Sequence, residues 1–291
     1  MNIAQLIAQR STPFCSVEFF PPRDEAQWEP FLEEARRICT LKPLFASVTY
    51  GAGGSRQDST LDMVIRLKKI FQLEIMAHLT CVAASEQRIT DFLSQLEAAG
   101  VDNVLALRGD PPHDGAVDWT QSPFLHASDL VRFVRARFPH MGIGVAGYPA
   151  PHPESPSFSS DWRHTVGKIR EGADFVVTQM FFDVREYFSF VERLRELGVD
   201  VPVIPGIMTI QNFESLRRIL SMCGANIPGR LYLEMEAAHE RGGAEAVREV
   251  GIRYAVEQIR RLLDGGAPGI HLYTLNKSAL CLRIAKEVGL L

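Results

Sequence analysis

The segment NVLALRGDPP, residues 103–112, contains a buried strand that ends in charges, and it decides how the rest of the chain is interpreted. Val104 to Leu107 form an apolar run without alternation, which is typical of a parallel strand covered on both faces. The strand ends before Pro111, because a proline has no N–H for the next ladder bond. Three residues stand at that end: Arg108, Gly109 and Asp110. Two opposite charges there indicate a bulky polar ligand, although they could simply pair with each other.

Further apolar runs of the same kind lie along the chain, and helix-like patterns separate them. The predicted strands are 14–19, 44–50, 74–80, 103–108, 142–148, 175–181, 201–207 and 270–275. The helix-like patterns lie at 25–39, 58–72, 85–99, 128–138, 161–172, 185–197 and 211–222. Strands that alternate with helices imply parallel pairing, and eight such units form a closed (β/α)8 barrel. A doubly wound open sheet is the alternative fold.

The interval before the last predicted strand is too long for one connecting helix. From 208 to 269 the chain contains the helix-like pattern at 211–222 and then about forty more residues, which predict an extra pair of helices inserted before the last strand. No linker, repeat or low-complexity segment divides the chain. We therefore expect a single catalytic domain over residues 1–291, without a regulatory domain.

Composition limits the classes of function. The chain is 46% hydrophobic and 23% charged, with a net charge of −4, and no block of Lys and Arg indicates nucleic-acid binding. No apolar run approaches the ~20 residues of a membrane helix, and the first residues do not resemble a secretory signal. The 5 cysteines are scattered without a CxxC pair, which fits reduced thiols in a cytoplasmic protein. No spacing of Cys, His and carboxylates predicts a metal site.

Polar residues stand at the predicted strand ends, where barrels of this class build their sites. Glu18 lies beside Phe19 and Phe20. Because apolar neighbours desolvate a carboxylate, we expect a raised pKa, which suits a general acid. The alternative is a structural carboxylate that is ion-paired, for example with Arg23.

Other candidates have similar alternatives. His78 is a ligand contact or a core histidine, and Gln179 has an amide that suits a heterocycle edge or a loop contact. The glycine-rich segment GAGGS, residues 51–55, resembles a phosphate loop only loosely and is equally consistent with a turn. Asp161 is expected to cap the following helix, and that helix N-terminus could hold phosphate. Lys168 lies two turns further on, where it serves the phosphate or is solvated surface.

Eight motifs occur in order: SVEFFPPR, SVTYGAGGS, AHLTC, LALRGDPP, GYPAPHPES, TQMFFD, VIPGIM and HLYTLNKS. Together, over about residues 14–285, they resemble the 5,10-methylenetetrahydrofolate reductase family in its short bacterial type. The resemblance implies a (β/α)8 barrel that holds FAD noncovalently at the strand ends. It implies a ping-pong reaction in which NADH or NADPH reduces the flavin and the flavin then reduces the folate. A cytoplasmic homo-oligomer of one-carbon metabolism is also implied.

The resemblance also implies roles for single residues. Glu18 is the expected general acid that opens the five-membered folate ring, and Asp110 the charge near flavin and pterin that favours the cationic iminium. Cofactor contacts are implied for Thr49, Tyr50, Ala52, His78, Arg108, Gly109, Asp110, His126, Ala127, Tyr148, His152, Asp161, His164 and Lys168. Folate contacts are implied for Gln179, Ser215 and Lys277.

Several positions depart from the family pattern. His126 replaces a tyrosine, Gly167 lacks a side chain that would meet phosphate, and Lys277 replaces an arginine and loses its bidentate fork. Ser215 and Ile219 replace a glutamine and a phenylalanine that contact the folate. Fewer side-chain contacts to the folate are therefore expected. A flavin-free folate-dependent one-carbon transferase and a noncatalytic binding protein are the alternative functions.

Overall fold

The computed structural model describes residues 1–22, 24–50, 57–82, 84–110 and 122–290, with the backbone alone at 57–59. The strands in this part of the chain all pair in parallel within one sheet. They are β1 (Phe14–Phe19), β2 (Ala46–Val48), β3 (Ile75–Thr80), β4 (Asn103–Leu107), β5 (Gly142–Gly147), β6 (Phe175–Thr178), β7 (Val203–Ile204), β8 (Gly206–Met208) and β9 (Gly269–Tyr273).

The sheet closes on itself through one interrupted strand. Its order is β7, β6, β5, β4, β3, β2, β1, β9, β8, and only Pro205 separates β7 from β8. β7 pairs with β6, whereas β8 pairs with β9, so the predicted strand 201–207 joins the two edges of the sheet. Pro205 interrupts it because proline has no N–H to donate, while its carbonyl still accepts from the N–H of His271 at 2.9 Å. The (β/α)8 barrel is confirmed, and the open doubly wound sheet is wrong.

Helices surround this barrel on its outside and cover one of its ends. They are α1 (Ile3–Ala8), α2 (Trp28–Cys39), α3 (Gln57–Phe71), α4 (Glu86–Ala98), α5 (Ala127–Arg137), α6 (Phe158–Arg170), α7 (Val184–Glu196), α8 (Phe213–Cys223), α9 (Gly229–Asp264) and α10 (Ser278–Val288). α9 breaks at Gly242 and Gly243, where Gly243 has φ 58° and ψ −145°, a conformation that is nearly restricted to glycine. The predicted extra pair of helices before the last strand is therefore confirmed.

The barrel interior is apolar near the amino ends of the strands, and α1 covers it. The sequence pattern did not predict this short helix. Ile3 and Ile7 pack with side chains from the strands and the segments that precede them: Phe14, Phe45, Met76, Leu105, Phe175, Val177 and Ile204. The side chain of Asn103 accepts a hydrogen bond from the N–H of Ile3 at 2.8 Å, which ties α1 to β4. This apolar floor leaves the carboxyl ends of the strands for a ligand.

Candidate active site

A polar layer lies inside the barrel above the apolar floor. On β1, Phe14 belongs to the floor, whereas Val17 and Phe19 pack in the core between the sheet and the helices. Because side chains alternate along a strand, Ser16 and Glu18 point into the barrel with Phe14. The polar layer consists of Ser16, Glu18, Ser47, His78 and His271, which are all buried. It brings together side chains from β1, β2, β3 and β9.

Glu18 is the acidic member of the polar layer, with 6% of its surface exposed. Its Oε2 lies 3.4 Å from Nε2 of His78 and 3.9 Å from Nε2 of His271. The hydroxyl of Ser47 donates to the same oxygen at 3.4 Å. Glu18 therefore faces two imidazoles and a hydroxyl. Arg23, its alternative partner, lies outside the described residues.

The expectation of a raised pKa for Glu18 is wrong. Burial alone would raise the pKa, but the close contacts with the imidazoles of His271 and His78 outweigh it and lower the pKa from 4.5 to about 2. The expected desolvation by Phe19 does not occur, because its ring points outward and meets Phe31 edge-on, with the centroids 5.7 Å apart. This environment therefore favours the ionised form of Glu18.

Arg108 follows β4 and pairs with Glu154, not with Asp110. Its Nη1 and Nη2 donate to the two carboxylate oxygens of Glu154 at 2.7 and 3.1 Å. Gly109 has φ 82°, and a Cβ there would lie 2.9 Å from Cγ2 of Val82, so this turn requires glycine. Asp110 is exposed at the rim of the barrel. The hydrogen-bonded partner of Arg108 is therefore Glu154, although the nearby charge of Asp110 also contributes to its raised pKa, after the hydrogen bond to Glu154.

Four of the predicted cofactor residues meet where β5 faces α6. The ring of Tyr148 contacts that of His152 edge-on, with the centroids 5.0 Å apart. The N–H of His152 donates to Oδ2 of Asp161 at 3.1 Å. The ammonium of Lys168 donates to the carbonyl of Ala146, and burial lowers the pKa of Lys168 to about 8, against the opposing charge of Asp161. Lys168 therefore points towards β5 and is not plain solvated surface.

Asp161 does not cap α6, which corrects the expectation from the sequence. The helix begins at Phe158, and Ser157 is its N-cap, with a hydroxyl that accepts from the N–H of Ser160 at 3.2 Å. Serine caps helices as well as aspartate does, so the helix begins earlier than predicted. Asp161 instead lies buried in the first turn, where it holds the loop that carries His152.

Two buried polar atoms on β3 have no hydrogen-bond partner among the described residues. They are Nε2 of His78 and Oγ1 of Thr80. Buried polar atoms are usually satisfied; Nε2 of His78 has the carboxylate of Glu18 3.4 Å away, so Oγ1 of Thr80 is the atom here that indicates a ligand. Thr80 pairs with Leu107 on β4 and lies against Gly109, the residue that follows Arg108. Lys168 is a second cation, and it contacts β5, the strand next to β4. Arg108, Lys168 and Thr80 could therefore hold a cofactor that joins a polar ring to phosphates.

The remaining predicted site residues stand at the ends of strands and helices. Thr49 and Tyr50 follow β2, His126 and Ala127 begin α5, His164 is exposed on α6, Gln179 follows β6, Ser215 lies in the first turn of α8, and exposed Lys277 precedes α10. Three of them use polar atoms locally: Oε1 of Gln179 accepts from the N–H of Met180 at 2.9 Å, Oγ of Ser215 donates to the carbonyl of Asn212 at 3.0 Å, and Nε2 of His164 lies 3.4 Å from Oγ of Ser160. Ala52 and the segment 51–55 lie outside the described residues.

The sequence pattern did not single out Ser16, Ser47 or His271, although all three belong to the polar layer. The available signal was a polar residue at an inward position of a strand that otherwise reads as apolar. His271, for example, stands between Ile270 and Leu272, which pack towards the helices. Their partners come from distant parts of the chain, so the pairing required the closed barrel.

Metal clusters and membrane-spanning helices are both absent from the part of the chain that the structure describes. There, no group of three or more His, Cys, Asp or Glu side chains is arranged to hold a metal ion. None of the described helices has the length and apolarity that a membrane span requires. The 5 cysteines are free thiols.

Known proteins match this chain along nearly its whole length. Residues 2–289 match the family model for methylenetetrahydrofolate reductase. The chain is 36% identical over 302 residues to methylenetetrahydrofolate reductase (NADH) 1 of Arabidopsis thaliana, an alignment that covers 100% of this chain and 50% of the plant protein. It is 33% identical over 274 residues to 5,10-methylenetetrahydrofolate reductase of Pectobacterium carotovorum subsp. carotovorum, which covers 94% of this chain and 89% of the bacterial protein.

The chain spans about half the length of the plant relatives that it matches. Among solved structures, an uncharacterized protein from Clostridium thermocellum that binds two copies of 5-methyl-5,6,7,8-tetrahydrofolic acid superposes with a TM-score of 0.67. That alignment covers 98% of this chain and 96% of the other at 17% sequence identity, and it shows a shared fold. Because the family model covers almost every residue, and a bacterial relative is matched over most of its length, this chain belongs to the methylenetetrahydrofolate reductase family.

Proposed function

We propose that this protein reduces 5,10-methylenetetrahydrofolate to 5-methyltetrahydrofolate, with NADH or NADPH as the reductant and FAD as a noncovalent cofactor. The family match supports the reaction, and the names of relatives specify NADH in Arabidopsis thaliana and NADPH in Caenorhabditis elegans. The observation that carries the proposal is the buried carboxyl of Glu18 in the polar layer. A protein that only bound its ligand would gain little from burying an acid.

Glu18 is the general acid in this proposal. Opening the five-membered ring of the folate requires a proton on the nitrogen that leaves the methylene carbon, and a positioned carboxyl can deliver it. The low pKa of Glu18 means that the free site holds this carboxyl ionised. The proton that Glu18 delivers must therefore be supplied within the polar layer, where His78 and His271 are the proton carriers nearest to it.

The residues around β3, β4 and β5 fit FAD. Bound FAD would supply hydride transfer in two halves, from the nicotinamide to the flavin and from the flavin to the methylene carbon. Arg108 and Lys168 offer cations for its diphosphate, and the unpartnered hydroxyl of Thr80 offers a polar contact. Glu154 can give up Arg108 to a phosphate readily, because its side chain is 63% exposed and exposed ion pairs contribute little free energy.

Asp110 supplies negative charge at the mouth of the barrel in this proposal. Its charge acts on other elements as well: burial, and after it the charge of Asp110, raise the pKa of Cys223 at the end of α8. Burial, Asp161 and Asp110 raise the pKa of Tyr148 beyond β5. A negative charge in this position would stabilise a cationic iminium form of the folate. The folate itself would be held by Gln179 and Ser215 at the rim, with Lys277 further along the loop.

Anaerobic absorption spectra of the purified protein test the proposed function. We expect a yellow protein with a flavin band near about 450 nm, which bleaches with NADH or NADPH and recovers when 5,10-methylenetetrahydrofolate is added. Recovery only with oxygen would contradict the folate reaction. A protein that stays colourless after incubation with FAD would favour a flavin-free one-carbon transferase on the same barrel.

A further inference from the structure

His271 is the most buried histidine of the polar layer, and both of its ring nitrogens have hydroxyl partners. Only 1% of its surface is exposed. Nδ1 lies 2.8 Å from Oγ of Ser16, and Nε2 lies 3.2 Å from Oγ of Ser47. Its ring stacks on Phe45 at a centroid distance of 5.8 Å, and the ring of Tyr273 meets it edge-on at 5.4 Å. These contacts fix the orientation of the imidazole.

The contact with Ser16 determines that Nδ1 of His271 carries a hydrogen. Oγ of Ser16 lies 3.0 Å from the carbonyl oxygen of Ile270, and a carbonyl can only accept. A hydroxyl has a single proton, so the proton of Ser16 is committed to Ile270. The contact between Ser16 and His271 then requires a hydrogen on Nδ1. Nε2 is therefore the nitrogen that gains or loses a proton.

Ser47 lies between Nε2 of His271 and Oε2 of Glu18, at 3.2 and 3.4 Å. Its single proton can serve only one of these contacts. If Glu18 is a carboxylate, Ser47 donates to it and Nε2 must be protonated to donate to Ser47. If Nε2 is bare, Ser47 donates to it and Glu18 must be a carboxylic acid. In either arrangement, one further proton is shared along Glu18, Ser47 and His271.

We propose that His271 stores the proton that Glu18 delivers to the substrate, and that the hydroxyl of Ser47 passes it on; this rests on the proposed function. The N–H bond at Nε2 breaks as a new O–H bond forms on Ser47, while the original O–H bond of Ser47 breaks as Oε2 of Glu18 is protonated. No electrons are exchanged with another group. Glu18 then protonates the leaving nitrogen, and His271 remains neutral with its hydrogen on Nδ1. We call Glu18, Ser47 and His271 together the relay. Reduction of one folate by a hydride consumes one proton, and the relay holds one proton that it can deliver.

The other titratable groups that face this pair are His78 on β3 and Tyr273 on β9. Nε2 of His78 lies 3.4 Å from Oε2 of Glu18, but it has no bridging hydroxyl and no hydrogen-bond partner among the described residues. The hydroxyl of Tyr273 donates to the carbonyl of Thr178 at 2.6 Å, and burial raises its pKa well above the usual value. Tyr273 therefore stays protonated and outside the relay. His271 and Ser47 act as positioning residues for Glu18.

Ser47→Ala and Ser16→Ala form a matched pair of variants. Each removes one hydroxyl from His271, but only the first interrupts the path to Glu18. We expect Ser47→Ala to slow the folate half-reaction on the order of 10-fold or more and to change its pH profile, with flavin reduction by NADH unchanged. Ser16→Ala should lose clearly less of the folate rate than Ser47→Ala, because the path from His271 to Glu18 stays in place, and Ser47→Thr should restore the rate that Ser47→Ala loses. Equal losses for Ser47→Ala and Ser16→Ala, or no loss for Ser47→Ala, would overturn the relay.

Nitrogen-15 NMR of labelled histidines tests the shared proton without cofactor or substrate. In the free wild-type protein, with Glu18 ionised, we expect both nitrogens of His271 to carry protons. In Glu18→Gln, Nε2 should lose its proton at a lower pH than in wild type. A bare Nε2 beside an ionised Glu18 would overturn the proposal. This measurement remains readable if the protein proves not to reduce folate, so the two failures can be told apart.

Discussion

Replacing Glu18 with Gln tests the electrostatics of the polar layer through the acid stability of the fold. Gln keeps the size of the side chain but cannot ionise. The pKa of Glu18 is about 2 in the folded protein, against an unperturbed 4.5. One pKa unit corresponds to about 1.4 kcal/mol, so ionised Glu18 stabilises the fold by about 3 kcal/mol relative to the protonated form. Because the folded-state pKa is lowered, this contribution is present above pH 4.5 and is lost as the pH falls towards 2.

Urea unfolding followed by circular dichroism from pH 7 to pH 2 measures this contribution. Between about pH 5 and pH 2, the unfolding free energy of the wild type should fall by about 3 kcal/mol more than that of Glu18→Gln. Glu245→Gln is the matched control, since it makes the same chemical change at an exposed position of α9 and should follow the wild-type curve. Parallel curves for the wild type and Glu18→Gln would refute the view that the imidazoles hold Glu18 ionised.

Three further predictions follow from the rim of the barrel and from α6. Arg108→Gln should weaken FAD binding at least about 10-fold, whereas Arg132→Gln, which breaks a similar two-bond pair with Glu171 on the outer helices, should leave it unchanged; equal affinities by fluorescence titration would contradict this. Asp110→Asn should raise the reduction potential of bound flavin in a dye-linked titration, and an unchanged potential would show that this carboxylate does not sense the flavin. Gly167→Ala should raise the unfolding free energy by about 0.5–1 kcal/mol in urea, because a Cβ there meets nothing within 4 Å; a decrease would mean that the open position is needed by the fold.

The barrel could be predicted because its signals are local. Apolar runs and helical patterns alternate along the chain, and their number matches a closed barrel. The positions of Glu18, His78 and Arg108 towards the ends of predicted strands are then enough to predict that they lie at the same end of the barrel. The extra helices before β9 follow from the length of the interval alone. The helix α1 gave no comparable signal, because Ile3 and Ile7 acquire a role only once a barrel exists for them to cover.

The electrostatics of the site could not be predicted, because they depend on residues that are distant in sequence. His271 is 255 positions from Ser16 and 224 from Ser47, and the closure of the barrel brings them together. The pKa of Glu18 was predicted in the wrong direction because Phe19 is adjacent in sequence but points to the opposite face of the strand. Likewise, Arg108 pairs with Glu154, 46 positions away, and not with neighbouring Asp110.

Rapid-mixing kinetics of Glu18→Gln, with the two half-reactions measured separately, test the proposed role of Glu18 most directly. Reduction of the bound flavin by NADH should proceed near the wild-type rate, because that step needs no acid on the folate. Reoxidation by 5,10-methylenetetrahydrofolate should slow on the order of 10²-fold or more. An equal loss in both half-reactions, or a folate step that runs at the wild-type rate, would contradict the assignment of Glu18 as the acid of the folate reaction.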